Sequence, residues 1–132
     1  MNMTAIRQKV FAIGNRLAPR MGREAAFIEA WNIVRNGIEL PLRGVMQGTR
    51  QIALGRFAAY APEQRIVFVA PEKDNPVDNK AATVFIGIQY GRGFYTAGYL
   101  PKEYAPAAAV LKATGIKVLD GNIKGARIAL TA

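Results

Sequence analysis

The apolar residues change their period at Asn36-Gly37, and that break constrains the fold more than any other feature of the chain. Before it, apolar residues recur every three or four positions, as on one face of a helix. After it they fall into short runs bounded by glycine and proline, as in strands. A chain written this way is predicted to be mixed, with helices first and mainly strands after.

The first part reads as two helices. In "MTAIRQKVFAIGNRLAPRMG", Thr4 is a good N-cap, and Ile6, Val10, Ile13 and Leu17 share a face. Pro19 is expected to end this helix. In "REAAFIEAWNIVRNG", Phe27, Trp31 and Val34 form the apolar stripe, and Asn36-Gly37 stop it. A Trp stripe at this spacing points to core packing or partner docking rather than to base stacking.

After Gly37, "IELPLRGVMQGT" reads as a strand whose Pro41 marks an edge or a strand start. "RQIALGRFAAYAPE" reads as a helix built on Ile52, Phe57 and the alanines. "QRIVFVAPE", "AATVFIGIQY" and "FYTAGYLPKEY" are strands, with Gly91 to Gly93 as hairpin punctuation between the last two. "PAAAVLKATG" is expected to be a short helix ending at Gly115. "IKVLDGNI" and "ARIALTA" close the chain as a hairpin around Asp120-Gly121. The expected fold is mainly β in the α+β class: a small six-stranded, partly open OB-like barrel, residues 38–132, with two inserted helices. Residues 1–37 form an N-terminal helical hairpin.

Composition narrows the function. There is no histidine, cysteine or serine, which removes serine and thiol nucleophiles, His-based zinc sites and disulfides. No phosphate-binding Gly-x-x-x-x-Gly-Lys loop is present. No apolar run is long enough to span a bilayer, and the N-terminus lacks the apolar block of a signal peptide. The expectation is a non-catalytic cytoplasmic module with no metal or cofactor. Against nine acidic residues stand eighteen Lys and Arg, a net charge of +9. That balance favours a polyanionic partner.

The stretch "EKDNPVDNKAATVF" packs acidic residues, two asparagines and a proline ahead of an apolar strand. Turn chemistry accounts for part of it: Asn75-Pro76 initiates a turn, and Asp78-Asn79 can make another. Glu72, Asp74 and Asp78 could also hold Mg²⁺, but the rest of a metal-nuclease constellation is not visible.

Two separated motifs carry a resemblance. Glu72, Asn75, Pro76, Asp78, Ala81 and Val84, followed by Gly98, Tyr99, Leu100, Pro101, Lys102, Glu103 and Ala105, match in order the two motifs of the HIRAN domain. Gly44-Val45 matches its earlier Gly-Val step, so the resemblance covers roughly residues 40–130. The helical pair also resembles the extension of stand-alone bacterial and phage members. The resemblance implies a modified OB-like barrel that binds DNA, in some members at a single-strand 3′-hydroxyl end, in repair or replication. Carried over, Asp78 would accept a hydrogen bond from the terminal hydroxyl and Asn75 would shape the turn. Tyr99 and Lys102 would line the strand's path, with Lys80 beside them. Where the end-binding version has an Arg-Tyr-Tyr cluster and a further aromatic, this chain has Met46, Gln47, Gly48 and Val77. Arg50 is then the candidate replacement cation, and Tyr90, Phe94 and Tyr95 the candidate stacking residues.

Two functions follow as expectations. One is a DNA-binding module for single strands or 3′-hydroxyl ends. The other is a phage- or mobile-element-encoded protein-interaction module, docking through Phe27 and Trp31 on a nuclease, helicase or host defence complex.

Overall fold

The computed structural model describes residues 2–71, 81–119 and 122–132. Helix α1 (Met3–Met21) is capped by Asn2, whose side-chain oxygen accepts from the Ala5 N–H at 2.8 Å. Asn2 is extended and reaches over the first turn, so it, and not Thr4, is the cap. Pro19 lies inside the helix rather than ending it. Its missing N–H forfeits one backbone bond, while Ala18 and Met21 still pack against the core. The helix ends at Gly22, whose φ of +86° favours glycine and whose N–H returns to the Ala18 carbonyl at 2.9 Å.

Helix α2 (Arg23–Asn36) packs on α1 through Ala26, Ala30 and Ile33. The expected stripe of Phe27, Trp31 and Val34 packs against the same core but is only half-buried. Gly14 of α1 makes room for one of these rings: a Cβ there would lie 2.9 Å from the Phe27 ring. Phe27 also packs edge-on against Phe11, with ring centroids 5.5 Å apart.

Two three-stranded antiparallel sheets follow. One has the order β1 (Ile38–Pro41), β6 (Asn122–Thr131), β5 (Lys112–Leu119). The other runs β2 (Arg65–Pro71), β3 (Ala82–Ile88), β4 (Tyr95–Tyr99). The strand expected over 38–49 stops at Pro41, which sits on an edge strand. Beyond it the chain crosses between the sheets. Leu42 donates to the Ala126 carbonyl at 3.0 Å, and Arg43 exchanges two backbone bonds with Tyr99 at 2.8 and 2.9 Å. Helix α3 (Arg50–Ala58) covers β4.

The alanine-rich segment is a 3₁₀ helix, Ala105–Val110, and not an α-helix ending at Gly115. Gly115 lies inside β5 at a register shift. Six residues are too few to repay helix nucleation without a longer run, and the β-branched residues beyond join the sheet. The hairpin turn expected at Asp120-Gly121 lies outside the described residues.

The architecture is therefore α+β, with two sheets and no closed barrel among the described residues. One buried cluster joins everything. Val10, Ile13 and Leu17 of α1 belong to the same core as Leu54, Ile86 and Ile128. Burying each such side chain contributes about 1.5–3 kcal/mol over leaving it exposed. Among the described residues, no helix is long and apolar enough to cross a membrane.

Candidate nucleic-acid interface

Helix α3 has two faces. Leu54 and Phe57 are buried, while Ile52 and Arg56 face outward and Tyr60, just beyond the helix end, is exposed as well. The helix is anchored at both ends by arginines. At its start, the Arg50 guanidinium donates to the Gly44 carbonyl (3.0 Å), the Gln47 side-chain oxygen (3.2 Å) and the Tyr99 hydroxyl (3.2 Å). It also lies 4.9 Å from the centre of the Tyr99 ring. At the other end, Arg65 donates to the carbonyls of Ala58 and Tyr60 at 2.7 and 2.9 Å. A cation at a helix C-terminus satisfies carbonyls that the helix itself leaves open.

Strand β4 forms the opposite wall. Gly98 is required there, because a Cβ would lie 2.5 Å from the Arg43 carbonyl oxygen and block the bridge to Tyr99. A bulge leaves Ala97 without a partner: Thr96 lies opposite Phe85 and Gly98 opposite Val84. It also takes Tyr95 and Tyr99 off the common face that their spacing would give a regular strand. Tyr95 lies opposite Ile86, and Tyr99 opposite Thr83.

Between these walls lie three adjoining depressions. The first, about 560 Å³, is lined by Arg43, Arg50, Tyr99, Lys102 and Glu103 among others. The second, about 380 Å³, shares Gln47 and Arg50 with the first. The third, about 560 Å³, lies between α3 and the β3–β4 turn and shares Thr49, Ala53 and Tyr95 with the second. Together they make a groove along α3. Its described lining holds Arg43, Arg50, Arg56, Arg92 and Lys102 against the single carboxylate of Glu103.

The structure thus brings Arg50, Tyr99 and Lys102 together and sets Tyr95 in the adjoining depression. Phe94 packs elsewhere: its ring meets Phe68 edge-on at 4.9 Å and lies over Gly87. Tyr90, 96% exposed with φ +64°, stands on the β3–β4 turn outside the groove lining. Phe27 and Trp31 lie on the helical pair, which reaches the site indirectly. Arg20 of α1 donates to the Lys102 carbonyl at 2.6 Å, and the Tyr104 hydroxyl donates to Glu29 of α2 at 3.4 Å. Asn75, Asp78 and Lys80, and with them Glu72 and Asp74, lie outside the described residues. The next described residue, Ala81, lines the first depression.

Arg43, Arg56, Arg92 and Tyr60 escape a reading of the sequence. The signal for two of them was present: Ile52, Arg56 and Tyr60 recur at helical spacing on the face away from Leu54 and Phe57. Ile52, expected to help build the helix's apolar side, is 54% exposed and lines the third depression. No family model, curated protein or solved structure matches this chain.

Proposed function

We propose that the protein is a non-catalytic DNA-binding module that holds single-stranded DNA in the groove along α3. The observation that carries this reading is the Arg50–Tyr99 pair, in a lining that holds five cations and one carboxylate among the described residues. Three of the five N–H donors of Arg50 are used within the protein, which leaves two for a phosphate. Those three bonds also hold the guanidinium in place, so little side-chain freedom is lost on binding. Tyr99 and Tyr95 offer rings on which bases of any sequence can stack.

The HIRAN-like motifs support the same reading, and so does the strand arrangement. Beyond β1, Leu42 bonds to Ala126 of β6 and Arg43 to Tyr99 of β4, and β2 lies beside β5, as in a barrel left open at one seam. In this reading Asp78, Asn75 and Lys80 form the rim that reads a free 3′-hydroxyl. A carboxylate on a cationic surface repels a terminal phosphate and accepts from a hydroxyl.

The test is fluorescence anisotropy on short labelled strands ending in a 3′-hydroxyl or a 3′-phosphate, with a blunt duplex as control. Wild type should prefer the single strand with the free hydroxyl, and Asp78→Ala should erase that end preference while keeping most of the affinity. Equal binding of all three forms by both proteins would sink the end-reading role. Arg50→Ala should weaken every single strand, and no loss there would sink the groove itself.

A second reading rests on α2. Arg23, Phe27, Trp31 and Arg35 form a row spaced by four, with Arg23 5.0 Å from the Phe27 ring centre and Arg35 5.1 Å from that of Trp31. Ile28 and Phe11 beside it are 65% and 54% exposed. Such a ridge suits docking on a larger nuclease, helicase or defence assembly. Under this reading Ile28→Asp abolishes assembly with that partner and leaves DNA affinity unchanged.

A further inference from the structure

The third depression is mainly apolar. Ala53, Phe57 and Ile86 line it, and Tyr60 and Tyr95 stand at its sides, 42% and 65% exposed. Folding leaves Tyr60, Tyr95 and the side chain of Ile52 partly in water, where large apolar groups gain by being covered. Two guanidinium groups, Arg56 and Arg92, belong to the same lining. Both are exposed, and neither makes an ion pair among the described residues. An apolar slot between tyrosines, with two guanidinium groups beside it, is complementary to a flat ring that carries a phosphate.

We propose that this cleft is a nucleobase pocket: it takes one unstacked nucleotide of a DNA single strand, with Arg56 and Arg92 on its phosphate. The proposal rests on the reading of the groove as a single-strand site. Its volume of about 560 Å³ lies within the usual range for small-molecule sites. Continuity fixes where the strand goes next. The cleft shares Tyr95 with the middle depression, which shares Arg50 with the Tyr99–Lys102 end. Beyond the two arginines and two tyrosines, Thr49 is the one polar side chain in the described lining, so the pocket grips faces and discriminates little between bases. The pocket is preformed. Arg65 fixes the backbone at Tyr60, and the turn on the other side is closed by the Gly91 N–H to the Ile88 carbonyl at 2.9 Å.

The experiment uses the full chain, a fluorescent eight-residue oligothymidylate, and thymidine monophosphate followed by amide NMR. Tyr95 is exposed, so its variants should fold as wild type does. Tyr95→Ala should weaken oligothymidylate binding roughly five- to hundredfold, the range of one lost stacking contact. Tyr95→Phe should bind as wild type, and Arg92→Ala should weaken binding and flatten its salt dependence. Thymidine monophosphate should shift the amides of Ala53 and Gly91 to Gly93. If Arg50→Ala loses affinity while Tyr95→Ala and Arg92→Ala do not, the pocket is wrong and the groove reading survives. If wild type binds no single strand at all, both fall. Loss in Tyr95→Phe equal to that in Tyr95→Ala would overturn stacking. Saturable binding of an uncharged apolar peptide at these amides, with no response to the nucleotide, would assign the cleft to a protein instead.

Discussion

Single residues set the tension between site and scaffold. Arg50 does two jobs, pinning the loop from Gly44 to α3 and presenting charge to the groove. Lysine at that position would keep the charge and lose the planar fork that reaches three acceptors at once. Tyr104 is half-buried between the 3₁₀ helix and α2. Its phenol pKa is raised, first by burial and then by the neighbouring Glu29 carboxylate. The folded state therefore favours the neutral phenol. That contribution is complete below the ordinary tyrosine value of about 10 and is lost as pH climbs above it. Wild type should lose stability at alkaline pH more steeply than Tyr104→Phe, as read by thermal melts between pH 8 and 11. Superimposable alkaline limbs would show that the phenol plays no part.

Among elements, the bridge between Arg43 and Tyr99 is the joint on which the groove depends. Gly98→Ala should destabilise the fold by about 1–3 kcal/mol, the usual cost of overpacking, because its Cβ strikes a backbone oxygen that cannot swing aside. Hydrogen exchange should quicken at the Arg43 and Tyr99 amides before it does in β5 and β6. An unchanged melting temperature would mean that the crossing segment tolerates displacement.

The other sheet carries an electrostatic clasp. Lys117 of β5 and Arg127 of β6 lie directly opposite one another, and Glu39 of β1 pairs with both. Its carboxyl pKa is lowered, chiefly by the hydrogen bond and charge of Lys117. A lowered carboxylate contributes stability above its unfolded pKa and loses it as pH falls through the folded value. Glu39→Gln should therefore flatten the acid limb of the stability curve below about pH 5. The effect should be small, since the group lies at the surface and solvent screens it.

At the scale of the molecule, the helical pair and the sheets share one core, so the N-terminal helices support the groove rather than hang beside it. Surface substitutions, and not deletion of residues 1–37, therefore test their role without exposing Val10, Ile13 and Leu17. If all five groove cations meet phosphates, the logarithm of affinity should fall with that of salt at a slope of about −3.5, roughly hundredfold between 50 and 200 mM. A slope near −1 would leave most of them as solvated surface charge.

The period change at Gly37, the two helices, the strands β2 and β3, and the excess of positive charge were legible in the sequence. Each rests on residues within four positions of one another, where backbone geometry alone fixes which side chains share a face. The expected stripe of α2 does pack against the core, but the residues it buries fully are Ala26, Ala30 and Ile33, and no single helix shows its partner. The bulge at Ala97, the stop at Pro41 and the meeting of Arg50 with Tyr99, 49 residues apart, belong to the tertiary structure. Sequence determined the local elements and the sign of the surface. Only folding decided which cations and rings face one groove, since packing between distant segments, not local period, sets where side chains converge.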